Sequence, residues 1–406
     1  MRVLHVIPGV AQRYGGPSRA VFDMCQALEK SGCEPMICTT DADGRGTLPV
    51  KLNCAERYQG VNTIFFRRQL SEAYKYSRPL ALWLEDNVRN FDAVHIHAVF
   101  SHSSLAAANA CRRHNIPYVI RPLGSLSRLG LSTKSFRKKI LWGLGIGRML
   151  SGASVIHYTS AEERQQAEAH LNHQRGVVVP LALGGEELEA YLSDVITPES
   201  QLSMSGEAGV LPDPYVLILS RLHPIKGLEN FLRTFIRVTS EHPFRGWRLI
   251  LAGDGEPEYV SSLKNLVDHH SARDSVSFLG WVSGAEKLSL LKQASVLALP
   301  SFHENFGLCL VEALACSVPV LISPQVNLAP DIEAARAGWV SDLSPDALAG
   351  TLREVLQQRD EREKRGKAGR ELVRRRFTWP AVSTELLCLY ESAISCVSQH
   401  SVAHSS

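Results

Sequence analysis

The 406-residue chain has no Cys-x-x-Cys and no cysteine–histidine cluster at zinc spacing, although nine cysteines are scattered along it. That excludes the common structural zinc modules, and the odd, irregular count fits reduced thiols in the cytoplasm. No apolar run reaches the ~18–20 residues a membrane-spanning helix needs. The start, Met1 to Pro8, is too short and too strand-like for a secretory leader. The net charge is only +3, which argues against nucleic acid as a partner. There is no short-period repeat and no low-complexity tract. What is present is 45% apolar residues, enough for two cores in a chain that is long for one domain.

Apolar runs alternate with helical patterns along both halves. Strands are expected near 2–8, 35–40, 62–67, 93–98, 117–121, 153–158 and 176–180, then near 215–220, 247–252, 276–279, 294–299, 319–323 and 338–341. Helices are expected near 17–31, 79–89, 102–114, 133–150 and 160–172. Such alternation implies parallel sheets covered on both faces. The expected organisation is a first domain over 1–184 and a polar linker over 185–213, rich in Ser, Gly and Pro towards its end. A second domain follows over 214–376, then a helix over 377–397 and a disordered tail over 398–406.

The densest motif is Glu304-Asn305-Phe306-Gly307-Leu308, with Glu312 eight positions after Glu304. An apolar run ending at Leu299 precedes it and an Ala/Leu-rich helix follows. Glu304 therefore falls on a loop at the carboxyl end of a strand, and Glu312 in an early turn of the next helix. Ligands of open α/β sheets sit at that edge, and a helix N-terminus there suits a diphosphate. The glutamates suit neutral hydroxyls, as on a sugar or ribose. Upstream, Tyr215 to Ser220 reads as a strand followed by Arg221-Leu222-His223-Pro224-Ile225-Lys226-Gly227. Two cations five residues apart in a glycine-closed loop suit a diphosphate, Arg as a fork and Lys as a point charge.

Together, R-L-x-x-x-K-G and E-N-F-G-L-x-L-x-E-A-x-A resemble the carboxyl-terminal domain of the retaining family-4 (group 1) glycosyltransferases. Leu251 to Gly255, Phe278-Leu279-Gly280-Trp281, Pro319-Val320-Leu321 and Phe377-Thr378-Trp379 match in the same order. The resemblance implies an α/β GT-B fold: two Rossmann-like domains facing each other across a cleft, with a C-terminal helix returning to the first. It implies transfer of a hexose, with retention, from a nucleoside diphosphate sugar to a hydroxyl of a growing saccharide or glycolipid. Arg221, Lys226 and Glu304 become the catalytic residues. Gly15, Gly16, Gly280, Phe306, Gly307, Leu308 and Glu312 join them as donor contacts, with Glu312 on the ribose. No metal and no cofactor are expected. Three departures from the family pattern stand out. Leu123 replaces a histidine that contacts the transferred sugar, Asn305 replaces a glycine, and Ser317 replaces a glycine before the Pro319 strand.

Other features compete. His95 and His97 point the same way on one strand, but no third metal ligand is evident, and His97 with Arg121 is placed on the acceptor side. Asp41-Ala42-Asp43 matches a metal-binding D-x-D, yet D-A-D-G also makes a good turn. Gly143, Gly145 and Gly147 fail the dinucleotide register and lie in a helical stretch. Residues 128–150 carry Arg128, Lys134, Arg137, Lys138, Lys139 and Arg148 among Leu, Ile and Trp, without an acid. That suits an anionic membrane surface or a helix packed on the sheet with its charges in water. A sugar-nucleotide 2-epimerase and a non-catalytic sugar-nucleotide binder remain open alternatives on the same fold.

Overall fold

The computed structural model describes residues 1–127, 130–131, 135–171, 175–193 and 214–403. The chain forms two compact α/β units. One comprises Met1–Ala182 with Trp379–Ser406, the other Leu183–Thr378. Most of the linker expected over 185–213 lies outside the described residues. Its start does not: Gly185–Leu192 is a helix, and Tyr191 on it is 3% exposed.

The first unit is built on an eight-stranded sheet. Its order is Gly176–Val178, Val155–Tyr158, Tyr118–Arg121, Ala93–His97, Arg2–Val6, Glu34–Thr40, Val61–Phe66, Ala55–Tyr58. All neighbours are parallel except the last pair, which is an antiparallel edge. That edge and the small hairpin of Ala42–Asp43 with Gly46–Thr47 are short and carry no periodic pattern. One face of the sheet buries Leu4, Val94, Ile96, Ile120 and Ile156 against helices such as His102–His114. That helix starts where the Ser101 side chain caps the Ser104 N–H and stops at Asn115 in the left-handed region. The other face buries Val3, Val119 and Val155 against the closing helix Trp379–Ala403 through Val382, Leu386, Leu389 and Tyr390. The closing helix runs past Ser398, where the sequence suggested a disordered tail; residues 404–406 lie outside the described residues.

The second unit has a six-stranded, wholly parallel sheet. Its order is Val276–Gly280, Arg248–Ala252, Tyr215–Leu219, Val296–Leu299, Val320–Ile322, Gly338–Val340. This is the 3-2-1-4-5-6 order of a doubly wound Rossmann sheet. Its inner strands are buried on both faces, as near-continuous apolar runs require, while the edge strand Val276–Gly280 is only partly buried. Leu228, Phe231, Leu232, Phe235 and Val238 recur at helical spacing on Leu228–Thr239 and enter its core. Strand order reverses between Tyr215–Leu219 and Val296–Leu299. The loops leaving those two strands therefore diverge and leave a crevice at their carboxyl ends.

Candidate functional site

Both motifs emerge at that reversal. Arg221 to Gly227 follows the first central strand, and the stretch from Pro300 to Gly307 follows the second. Gly227 is at φ 66° and a Cβ there would lie 2.1 Å from the Pro300 carbonyl oxygen, so only glycine lets the two loops meet. The Phe302 N–H donates to the Ile225 carbonyl at 2.8 Å. Glu304 is fixed by its backbone, which donates to Gln325 O (3.2 Å) and accepts from Asn327 N (2.9 Å).

Lys226 Nζ then forms an ion pair with Glu304 Oε2, both side chains being mostly buried. Arg221, on the same loop, is exposed. Gly307, at φ 76°, is the N-cap of helix Leu308–Ala315, and no side chain caps that helix. The N–H groups of Leu308 and Cys309 thus have no intrahelical partner and face the loop end. Phe306 is 4% exposed and stacks edge-on against Phe377, so it supports the loop from within. Glu312 is 6% exposed and binds Lys287 Nζ through Oε1 at 2.8 Å.

Lys287, on helix Gly284–Gln293, had no place in the motif reading. Nothing in its sequence neighbourhood marks it; only the packing of two helices brings it to Glu312. Its ammonium also lies 5.6 Å from the ring centre of buried Tyr191. The arrangement is two lysine–glutamate pairs beside one uncapped helix N-terminus. Such a site can bind an anion with its cations and hydroxyls with its carboxylates. Gly280, at φ 73°, borders an open pocket of about 510 Å³ lined also by Leu222, Asp254, Lys264 and Phe278. Lys226, Glu304 and Glu312 stand outside that lining, so this hollow is not where the motif side chains converge.

In the first unit, Gly15, at φ 77°, is the N-cap of helix Gly16–Lys30 at the carboxyl edge of the sheet. The D-x-D carboxylates are occupied by arginines. Asp41 Oδ1 accepts from Arg68 N at 2.7 Å, Asp41 Oδ2 lies 3.5 Å from Arg67, and Asp43 pairs with Arg13 at 2.5 Å. Gly145, at φ 134°, sits in a kinked turn over Trp142–Ile146. It interrupts the expected basic helix between Ser135–Leu141 and Gly147–Ser151. Within that segment Trp142 packs against the core and Ile140 is exposed. Arg128, Lys134 and the Arg137 side chain lie outside the described residues.

His97 and Arg121, expected to face an acceptor, are instead each 1% exposed. Strand alternation turns them to the face that the closing helix covers. There they join His5, His95 and His157 in a buried polar layer, and His5 supplies the third histidine the sequence did not reveal. The Val179 carbonyl can only accept, so His157 donates to it from Nε2 (2.8 Å). His157 Nδ1 then accepts from His95 Nε2 (3.2 Å), and His95 Nδ1 accepts from the Tyr390 hydroxyl (2.8 Å). Both ring nitrogens of His95 are thereby used within the protein. Burial, with the Arg121 charge second, pushes the His5 imidazole down to about 3; His157 falls likewise to about 3. Burial also holds His95 and His97 well below the usual range.

Leu123 and Ser317, two of the departures, both occupy left-handed backbone, at φ 56° and 61°; at Ser317 this is a conformation glycine adopts without strain, whereas nothing in the structure explains leucine in place of histidine at 123. The turn at Leu123 is held by buried Glu163, which accepts from Gly124 N at 2.6 Å and Thr159 N at 2.8 Å.

Residues 207–372 match the model of "Glycosyl transferases group 1", and residues 15–183 match the "Glycosyl transferase 4-like domain". Among curated relatives, the chain is 29% identical over 198 residues to an uncharacterized glycosyltransferase of Methanocaldococcus jannaschii, covering 48% of this chain and 50% of that one. It is 26% identical over 255 residues to D-inositol 3-phosphate glycosyltransferase of Corynebacterium glutamicum, covering 61% and 59%. The matches thus span about half to three-fifths of these relatives' length. Among solved structures, sucrose-phosphate synthase from Thermosynechococcus elongatus superposes with TM-score 0.76 at 19% identity, covering 97% of this chain and 99% of that one. Anabaena HepE in complex with UDP and glucose gives 0.75 at 17%, covering 97% and 100%. These two likenesses establish the GT-B fold.

Proposed function

The chain belongs to the group 1, family-4 glycosyltransferases, and from that premise we propose that it transfers a hexose, with retention, from a nucleoside diphosphate sugar to a hydroxyl acceptor. The observation that carries this reading is the pairing of Lys226 with Glu304 and of Lys287 with Glu312 beside the bare N-terminus at Leu308. A diphosphate competes with Glu304 for Lys226. The carboxylate so released is a hydrogen-bond acceptor for sugar hydroxyls, while Glu312 takes the ribose hydroxyls. As the glycosidic bond breaks, negative charge grows on the leaving diphosphate. Arg221, Lys226 and the N–H groups of Leu308 and Cys309 meet that charge without reorganising. Gly15 and Gly16 let backbone approach the diphosphate. The complex of the Anabaena relative with UDP and glucose supports the donor class.

The acceptor is a saccharide or glycolipid hydroxyl. Exposed Ile140 beside exposed Lys139 supports a peripheral contact with an anionic membrane at its cytoplasmic face; no helix among the described residues is long and apolar enough to cross a membrane. The test is incubation with a panel of nucleotide sugars without acceptor. Slow release of nucleoside diphosphate is expected from one donor. An epimerised nucleotide sugar as product would replace this reading with an isomerase.

A further inference from the structure

Three helices of the second unit meet around one lysine. Helix Gly284–Gln293 carries Lys287, helix Leu308–Ala315 carries Glu312, and helix Gly185–Leu192 carries Tyr191. Lys287 Nζ lies 2.8 Å from Glu312 Oε1, and the two side chains are only 13% and 8% exposed. The same ammonium lies 5.6 Å from the ring centre of Tyr191, within the reach of a cation–π attraction. Tyr191 is itself buried, and its helix is fastened at the far end, where Arg370 donates to the Leu192 carbonyl. Lys287 is thus held by a ring and a carboxylate together.

This pair differs in kind from Lys226 and Glu304. Those two stand on loops at the crevice, where a phosphate can take the place of the carboxylate. Glu312 is four residues beyond Leu308, so about 6 Å further along the helix axis. It lies one turn in from the N–H groups that suit a diphosphate. Were Lys287 to leave it for a phosphate, a mostly buried carboxylate would lose its cation, which is strongly unfavourable. Lys287 therefore stays where it is when a donor binds. A carboxylate offers about four acceptor sites, so Glu312 can accept hydroxyls alongside the ammonium. The ammonium on Oε1 then fixes the direction in which those sites point.

We propose that Lys287 is a positioning residue for the ribose: it pins the Glu312 carboxylate in the orientation that accepts the ribose hydroxyls, and so sets the preference for a ribonucleotide donor. The proposal rests on the transferase reading, in which Glu312 takes those hydroxyls. Lys287 touches neither the diphosphate nor the transferred sugar.

The experiment is calorimetry on the full chain with UDP, GDP and ADP and with their 2′,3′-dideoxy counterparts, with Tm recorded as the measure of folding. The wild type is expected to bind one ribonucleotide roughly ten-fold or more tighter than its dideoxy form. K287M and K287Q should bind the ribonucleotide as weakly as the dideoxy form, whose own affinity stays at the wild-type value. K287R should keep the preference. Glu312→Gln should lose it, and adding K287M to that variant should cost nothing more, since both act through one carboxylate. Lys226→Ala, by contrast, should weaken both forms alike. A ribose preference that survives in K287M and K287Q would make Lys287 a mere fastener between helices and overturn the proposal, whatever happens to Tm. Equal weakening of both forms in those variants would make it a diphosphate ligand and overturn it as well. A wild type that binds a nucleoside diphosphate without preferring ribose would take the ribose from Glu312 and the proposal with it, while the donor reading stands. A wild type that binds none of the three would bring down the donor reading and the proposal together.

Discussion

Lys226 and Glu304 are 78 residues apart in the chain and form an ion pair, because their loops leave neighbouring strands at the point where the sheet order reverses. The lysine is thereby held at the crevice before any ligand arrives. Replacing Glu304 by a diphosphate at Lys226 exchanges one anion for another at a fixed position. The charge that matters for rate is the charge that grows afterwards.

Lys226→Ala is therefore expected to lower kcat by about 10²–10³, with a smaller rise in KM. Steady-state kinetics on the identified donor checks this. Turnover near the wild-type value would remove Lys226 from the chemistry.

The two glutamates should separate by assay. Glu312→Gln is expected to weaken binding of the bare nucleoside diphosphate by roughly ten-fold, since its partner is the ribose. Glu304→Gln should spare that binding and depress transfer. Calorimetry on both variants decides the matter, and equal weakening would mean the roles are misassigned.

EDTA is expected to leave activity largely unchanged, because protein cations serve the diphosphate. Asp43→Asn should also be mild, as its carboxylate is already paired with Arg13. Loss of activity in EDTA with recovery on adding Mn²⁺ would restore the D-x-D to a catalytic role.

The buried histidines predict acid sensitivity of a definite sign. His5 and His157 are held at about 3 in the folded state, against about 6.5 in an unfolded chain. The unfolded chain thus binds the extra protons first. Stability is complete above about 6.5 and falls as the pH drops towards 3, each histidine contributing about 1.4 kcal/mol per pH unit. Thermal unfolding followed from about pH 7.5 to about pH 4, across the unfolded value, should show Tm falling with acid. Tyr390→Phe should cost about 1–3 kcal/mol at neutral pH, by leaving His95 Nδ1 without its donor. A Tm that is flat across this range would contradict the neutral hydrogen-bonded layer.

The parts legible in sequence were those carried by local pattern. Continuous apolar runs marked the buried parallel strands, and glycine-closed loops after them marked the crevice, because a left-handed or crowded backbone position such as Gly227 leaves a local trace. The antiparallel edge Ala55–Tyr58 was not legible, since a half-exposed strand of four residues has no distinctive period. Lys287 was missed because its role depends on how one helix packs on the next. The histidine layer was half seen. Alternation placed His95 and His97 on one side, but His5 enters through strand pairing and Tyr390 through a helix 295 residues away. His97 and Arg121 were misplaced for a related reason: alternation says that two side chains share a face, and only the course of the closing helix says which face is covered.

That closing helix has a consequence for how the protein is made. A ribosome completes the eight strands of the first sheet early, then must synthesise the whole of 183–378 before Trp379 appears. Throughout that interval one face of the sheet, with Val3, Val119, Val155 and four histidines, lacks the helix that covers it. A nascent chain halted anywhere before residue 379 thus presents an unsheathed apolar and polar surface, the kind that recruits chaperones. The second unit, contiguous in sequence, has no such debt and can fold as soon as it emerges.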